Sequence, residues 1–208
     1  MIRLPTLDSE RGLGAAGYSC VAGIDEVGRG ALAGPVFAAA VVVPFGVDFA
    51  WLPLVRDSKQ LSPRQRERLF GRIEQDGIPM GLGEASHRVV DEIGIVEATR
   101  LAMCRAVEHL PVAPDFLIID ALTLPGLRSP QKGIVHGDQM CISIACASVV
   151  AKVSRDRHMV EQDALYPGYG LANHKGYGTI RHMASLRQLG PSPIHRRSFA
   201  PVQRLIQA

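Results

Sequence analysis

The distribution of apolar and polar positions divides the chain into short apolar runs and longer periodic stretches. Val21–Ile24 is a short apolar run that stops at two adjacent acids, Asp25 and Glu26, and Gly28-Arg29-Gly30 follows at once. A second run, Val36–Val43, comes after the turn residues Gly34 and Pro35. β-Branched or small residues in both runs, with glycine and proline between them, predict strand, turn, strand. An acid at a strand end beside a glycine-rich turn can face a cation or a phosphate with little backbone in the way. A hairpin whose acids are merely solvated fits the same stretch.

Ahead of that hairpin, residues 1–19 are polar and glycine-rich and read as a loosely held lead-in. Arg56–Leu61 reads as a loop. Ser62 then offers an N-cap and Pro63 a first helical position, opening a helix to about Gln75. Its Arg64, Arg66, Arg68 and Arg72 read as a solvated face around Leu69, Phe70 and Ile73, and Gly77-Ile78-Pro79 ends it. Met80–Ser86 alternates weakly, which predicts a third strand in a meander. From about Val89 the pattern turns helical: Ile95, Thr99, Ala102, Met103, Ala106 and Leu110 recur at three and four residues until Pro111. Phe116–Ile119 is a continuous apolar strand of the kind buried on both faces, and it stops at Asp120.

After a proline-rich loop, Ile134-Val135 predicts one more short strand, delivering Asp138. Ile142–Asp163 reads as a long Ala-rich helix with Lys152, Arg155, Arg157 and His158 in its later turns, broken by Tyr166-Pro167. Tyr169–Thr179 is a basic loop rich in glycine and tyrosine. A short helix over Ile180–Leu189 and an irregular PSPIHRRSF segment follow. Strands first, then a βαβ-like alternation, predict an α/β layer structure around a mixed sheet.

Composition narrows the picture. At 208 residues the chain fits one domain over 1–208. The hydrophobic share of 47% and charged share of 21% exclude disordered and collagen-like classes. No apolar run approaches the roughly 18 residues of a membrane span, and the first residues lack the apolar segment of a secretory signal. Four cysteines (Cys20, Cys104, Cys141, Cys146) without a CxxC pair read as buried thiols in a reducing compartment, so a cytoplasmic protein is expected. Residues 1–151 carry 14 Lys+Arg against 17 Asp+Glu, and residues 152–208 carry 9 against 3. A basic C-terminal quarter facing an acid-bearing body fits a polyanion held near an acidic centre, although an ordinary solvated surface also carries so modest a bias.

Three apolar runs lead to acid: Ile24 into Asp25-Glu26, Ile119 into Asp120, and Ile134-Val135 shortly before Asp138. Taken singly, each acid reads as a cap or a surface residue. If the strands are neighbours, four carboxylates converge, at a cost in free energy unless cations occupy the place. Such hard oxygen ligands suit Mg²⁺ or Mn²⁺. Two such ions, roughly 3.5–4 Å apart, serve phosphodiester cleavage.

The combination GIDEVGRGALAGPV at 23–36, DSKQLS at 57–62, an apolar run into Asp120, HGD at 136–138, ASVVAKVSRD at 147–156, HKGYGT at 174–179 and HRRSF at 195–199 resembles the type 2 ribonucleases H, bacterial ribonuclease HII in particular. No one of these motifs is specific; their order and spacing are, and they cover about Val21 to Val202. The resemblance implies an α/β ribonuclease H-like fold: a mixed central β-sheet flanked by helices, with a small helical C-terminal region from about residue 164 that binds substrate. It implies an endonuclease that hydrolyses the RNA strand of RNA–DNA hybrids. It also implies incision 5′ to single ribonucleotides embedded in duplex DNA, leaving 3′-hydroxyl and 5′-phosphate ends. On the same resemblance Asp25, Glu26, Asp120 and Asp138 are the catalytic acids holding two Mg²⁺ or Mn²⁺ ions. The main chain of Gly28, Arg29 and Gly30 reads the ribose 2′-hydroxyl, Tyr177 packs on that sugar, and Lys59 contacts a phosphate. A monomer with no membrane partner is expected.

Other residues carry two readings each. Lys152 and Arg155 serve the nucleic acid or pair structurally with Asp156; Ser148 and Asp156 read as structural. His136 reads as no ligand, four oxygen donors being sufficient. Tyr166 and Tyr169 stack on bases or pack beneath the loop, and the basic loop with HRRSF supplies salt-sensitive phosphate contacts. Ala121 and Gln139 stand where many family members have glycine and serine; neither is a ligand. The first strand begins about twenty residues in, so the added N-terminal domain of ribonuclease HIII is not expected. Two competing functions remain: a ribonuclease H-like nuclease or resolvase acting on all-DNA structures, which the Gly-Arg-Gly loop and Tyr177 disfavour, and a non-catalytic hybrid-binding module, which predicts a missing acid.

Overall fold

A computed structural model describes residues 4–207. Strands β1 (Val21–Val27), β2 (Val36–Val41), β3 (Met80–Ala85), β4 (Phe116–Asp120) and β5 (Gln131–Ile134) form one sheet in the order β3-β2-β1-β4-β5. The first three make the expected antiparallel meander, whereas β4 runs parallel to β1, and β5 parallel to β4. The sheet is therefore mixed, with the parallel pairs on the β4–β5 side.

Helices cover both faces. In β2, Val36, Ala38 and Ala40 turn to one core with Ala98, Ala102 and Ala106 of α3 (His87–Glu108). The alternate Ala39 and Val41 turn to the other core, with Ala147, Val150 and Val153 of α4 (Ile142–Leu165). This is the period-two alternation of a strand buried on both sides. Gly23 permits the close approach of α4, since a Cβ there would lie 2.3 Å from the Ser143 backbone carbon.

Helix starts follow local chemistry. Ser62 and Gln65 form a reciprocal capping box ahead of Pro63, fixing α2 (Pro63–Gln75). Ser86 accepts from the Val89 N–H, so α3 begins at His87, before the expected Val89, and it bends at Gly94, which adopts φ 80°. Arg66 departs from the solvated face expected of α2. It donates to the carbonyls of Ser58 and Leu61 and faces Asp156 at 3.7 Å.

The expected loose lead-in is corrected. Residues Asp8–Ala15 form α1, and the Thr6 backbone brackets α4's start, donating to Met140 O and accepting from Ile142 N. Fully buried Glu10 accepts both the N–H and the hydroxyl of Ser143 at 2.9 and 2.6 Å. The carboxylate thus replaces a cap on a helix whose N-cap residue, Cys141, turns its thiol to Ser9 Oγ at 3.3 Å rather than to the helix's own N–H groups. None of this is local in sequence.

The C-terminal region comprises α5 (Leu171–His174), α6 (Ile180–Leu189) and α7 (Ala200–Ile206), joined by irregular chain. Tyr169, Leu171, Leu186, Ile194 and Val202 pack against Leu32 and Ala33 of the β1–β2 connection. Tyr169 is buried and its hydroxyl donates to Gly190 O, which settles it as packing beneath the loop. Cys141 and Cys146 are buried as expected, but Cys20 and Cys104 are half-exposed. Among the described residues no helix is long and apolar enough to cross a membrane.

Candidate active site

The register of β1 with β4 builds the site. Ile24 lies opposite Ile119 in a parallel pair, so the next residues, Asp25 and Asp120, reach the same sheet end together. Gly23 and Ile118 lie on the α4 side, and by alternation Asp25 and Asp120 share it. Across β2, Asp25 and Glu26 face only Ala39 and Ala38, which leaves room around them. Carboxylate oxygens of Asp25, Glu26 and Asp120 come within 4.8 Å of one another.

Each acid is held. Asp25 accepts the Glu26 N–H at 2.7 Å and the hydroxyl of Ser148, which projects from α4. Ser148 Oγ lies 2.8 Å from Ser58 Oγ. Either hydroxyl can donate between them. Arg29 donates to Glu26 Oε1 at 3.0 Å, and the Gly137 N–H donates to Asp120 Oδ1 at 2.8 Å. Ala121, directly after Asp120, adopts φ 53°, and His136 adopts φ 56°. The left-handed backbone suits glycine, and alanine at position 121 costs about 1–2 kcal/mol. His136 is no part of the acid cluster.

Asp138 stands apart from this cluster, although it shares the sheet end. Its Oδ2 lies 3.7 Å from Lys59 Nζ, which is also 3.8 Å from Asp57 Oδ1. Asp57 itself is buried, caps the following turn through the Lys59 N–H, and sets its charge beside Asp138. Sequence reasoning singled out Lys59 in this motif and missed Asp57; the signal was there, in an acid two residues before the lysine. The exposed Lys59 ammonium leans over Asp138 and stays free to meet an anion.

The electrostatics are those of crowded acid. Burial, then the charges of Glu26 and Asp120, hold the Asp25 carboxyl well above its usual range. Burial likewise raises Glu26 against the pull of Arg29, and burial with Asp57 and Asp120 pushes Asp138 up to about 6. Burial lowers the Lys59 ammonium, but Asp57 and Asp138 outweigh it and the net shift is upward. One oxygen, Glu26 Oε2, is buried without a hydrogen-bond partner. An all-oxygen donor set, mutual repulsion and an orphaned buried carboxylate oxygen fit a hard divalent cation. The acids destabilise the metal-free fold, and a bound ion relieves that.

Beside the acids lies the glycine turn. Gly28 sits at φ 91°, and a Cβ there would lie 2.2 Å from Arg155 Nε. Arg155, fully buried, donates to the carbonyls of Pro35, Lys175 and Ala33 at 2.9, 2.9 and 3.1 Å. Arg196 does the same for Gly34 and Arg29 at 3.0 and 2.8 Å. These contacts correct the reading of HRRSF as a phosphate-binding patch, since His195 and Arg196 are interior. Lys152 pairs with Asp156 at 2.7 Å, the structural alternative. Tyr177 is half-buried beside the turn, bridged to Ala31, with the Arg155 guanidinium 5.5 Å from its ring centre.

Two buried histidines support this loop. His182 and His195 face each other at 3.0 Å, and burial, foremost, pushes both down to about 4. An unfolded histidine titrates near 6.5, so between pH 6.5 and 4 the unfolded chain binds more protons. Stability from this pair therefore falls as pH drops through that window. The raised carboxylates act oppositely, so the effect is isolated by difference. Thermal melts of wild type and a His182→Asn/His195→Gln variant, without metal, should show a gap that narrows from pH 7 to pH 4.5. A gap of constant size would show that the pair does not titrate in this range.

Comparison with known proteins agrees with this architecture. The family model for ribonuclease HII matches residues 22–202. A ribonuclease HII from Dehalococcoides mccartyi is 54% identical over 201 residues, spanning 97% of this chain and 95% of that protein. One from Geobacter sulfurreducens is 52% identical over 196 residues, spanning 94% and 89%. The crystal structure of ribonuclease H2 from Pyrococcus horikoshii OT3 superposes with a TM-score of 0.75 at 25% identity, covering 90% of this chain and 97% of that one. With acids at the ends of β1 and β4 and this likeness along nearly its whole length, the chain belongs to the ribonuclease HII family of metal-dependent endonucleases.

Proposed function

We propose that this protein hydrolyses the RNA strand of RNA–DNA hybrids and incises duplex DNA 5′ to single embedded ribonucleotides, leaving 3′-hydroxyl and 5′-phosphate ends. The observation that carries this reading is adjacency: a carboxylate cluster that fits hard cations lies one turn from a glycine loop backed by Tyr177. Asp25, Glu26, Asp120 and Asp138 would hold two Mg²⁺ or Mn²⁺ ions, whose Lewis acidity supports in-line displacement at a phosphodiester. Asp138 joins that set by turning from Lys59, whose ammonium is then left for a substrate phosphate.

Recognition rests on the sugar, because the 2′-hydroxyl is what separates RNA from DNA at one position. Nothing lies within 4 Å of where a Gly30 Cβ would be, so packing does not demand glycine there. Open space at that point lets a ribose approach the main chain, and Tyr177 stands ready to pack on it. The remaining half-exposed and exposed basic groups, Arg29 and Arg197 among them, meet phosphates without regard to sequence.

The test is cleavage of an end-labelled DNA duplex containing one ribonucleotide, with Mg²⁺ or Mn²⁺, beside an all-DNA duplex and an RNA–DNA hybrid. Cutting 5′ to the ribonucleotide and within the hybrid, with the all-DNA duplex intact, is expected. Equal cutting of the all-DNA duplex would replace this reading with a ribonuclease H-like DNA nuclease.

A further inference from the structure

We infer that His195 and His182 are positioning residues for Tyr177, acting through a hydrogen-bond chain in which each ring has one fixed tautomer. The chain can be read from its end. The Ser192 backbone N–H can only donate, and it meets His195 Nδ1 at 2.9 Å. His195 Nδ1 is therefore an acceptor, and the ring's proton sits on Nε2. That Nε2–H faces His182 Nε2 at 3.0 Å, so His182 Nε2 accepts and its proton sits on Nδ1. His182 Nδ1–H then donates to the Tyr177 carbonyl at 3.0 Å. Protonating either ring would set two N–H groups against each other.

The same loop is held on its other side. His174 stacks on His182 with ring centres 4.3 Å apart. Its Nδ1 accepts the Gly176 N–H at 3.3 Å, so its Nε2–H donates to Tyr169 O at 2.8 Å. The Tyr177 N–H donates to His174 O, and Leu32 N–H donates to Gly176 O, tying the loop to the glycine turn. The Tyr177 carbonyl also accepts from Thr179 N–H, so His182 supplies the second of its two bonds. His182 is wholly buried and His195 nearly so; neither ring touches solvent chemistry. What they reach is the backbone of the residue that meets the sugar. Three histidines in a basic C-terminal quarter thus serve as neutral struts rather than phosphate contacts.

The inference rests on the role proposed for Tyr177, and the experiment separates the two. On the wild-type protein at pH 7, ¹⁵N-edited spectra should show His182 in the Nδ1–H form and His195 in the Nε2–H form. A cationic ring or the opposite tautomer at His182 would overturn the chain outright. For function, kcat/KM on the single-ribonucleotide duplex should fall about fivefold in His182→Leu, the worth of one ordinary buried hydrogen bond. His182→Asn keeps a donor at the Nδ1 position and should recover to within about twofold. Melting temperatures identify any variant that has merely unfolded.

The decisive arm is a double-mutant cycle with Tyr177→Ala. If His182 works through Tyr177, His182→Leu costs nothing further in that background. A large loss in Tyr177→Ala with an additive loss in the double variant would overturn the histidine chain and leave the sugar reading standing. Unchanged cleavage in Tyr177→Ala alone would overturn the sugar reading, and the functional half of this inference with it.

Discussion

Asp25→Asn is expected to lower cleavage at least about a thousandfold, a loss of roughly 4 kcal/mol of transition-state stabilisation, while making the metal-free protein more stable. The two effects share one cause. Asp25 is buried between Glu26 and Asp120, and all three carboxylates crowd one place. Asparagine keeps an oxygen for the Ser148 hydroxyl and the Glu26 N–H but removes the charge. A carboxyl raised in the folded state weakens the fold above its unfolded value near 3.9, since the native protein must take up a proton or bury the charge. The gain from asparagine is therefore largest at neutral pH, about 1–2 kcal/mol, and disappears as pH falls below about 4. Differential scanning calorimetry with a chelator, beside the cleavage assay, reads both. Activity within tenfold of wild type would remove Asp25 from the catalytic set; a lower melting temperature at pH 7 would contradict the repulsion argument.

Arg155→Ala should be the most destabilising single change, costing about 3–5 kcal/mol. The guanidinium is fully buried and serves three carbonyls from two segments, Ala33 and Pro35 in one and Lys175 in the other. Truncation leaves those oxygens without their donor and opens a cavity beneath Gly28 and Gly34. Against the 5–15 kcal/mol typical of a domain, the loss is a large fraction. Arg155→Lys should recover only part of it, because an ammonium lacks the planar fork that spans separate acceptors. Arg155→Met restores volume without donors, so it separates packing from hydrogen bonding. Urea unfolding of the three variants checks this ranking; a cost under about 1 kcal/mol for alanine would mean the loop holds itself.

The sequence carried the scaffold well where the signal is local. Apolar runs ending in Asp25 and Asp120 marked β1 and β4, and Ser62-Pro63 marked the start of α2. Convergence of the acids followed from strand ends, although the parallel register that makes them meet needed the fold. What sequence did not reveal has distant partners. Helix α1 is written in glycines and acids, and it is held by Glu10 against Ser143, over a hundred residues away. The sequence offers nucleic acid or Asp156 as partners for Arg155 and phosphates for Arg196, because carbonyl oxygens, their true partners, leave no mark in a sequence. The Ile134-Val135 run and the family resemblance group Asp138 with the other acids; that it rests beside Lys59 and Asp57 is visible only in the fold. The Ser58–Ser148–Asp25 chain joins three motifs that only the folded sheet brings together.

The two interior arginines have one more effect. Their hydrogen bonds go to carbonyl oxygens rather than carboxylates, and the acids that act on them, Asp156 on Arg155 and Asp91 on Arg196, do so only at a distance. Burial, foremost, lowers both, Arg196 to about 9, and each remains cationic at neutral pH. Two fixed positive charges thus lie beneath the Arg29–Pro35 backbone, with Asp25 and Glu26 a few residues before it and Asp120 beside them across the sheet. The turn becomes the boundary of a local electric dipole, negative at the strand ends and positive under the loop. Mobile ions weaken exposed charges far more than charges sealed under backbone. For the polyanion proposed above, attraction across this boundary should therefore outlast salt that would strip a surface patch of lysines.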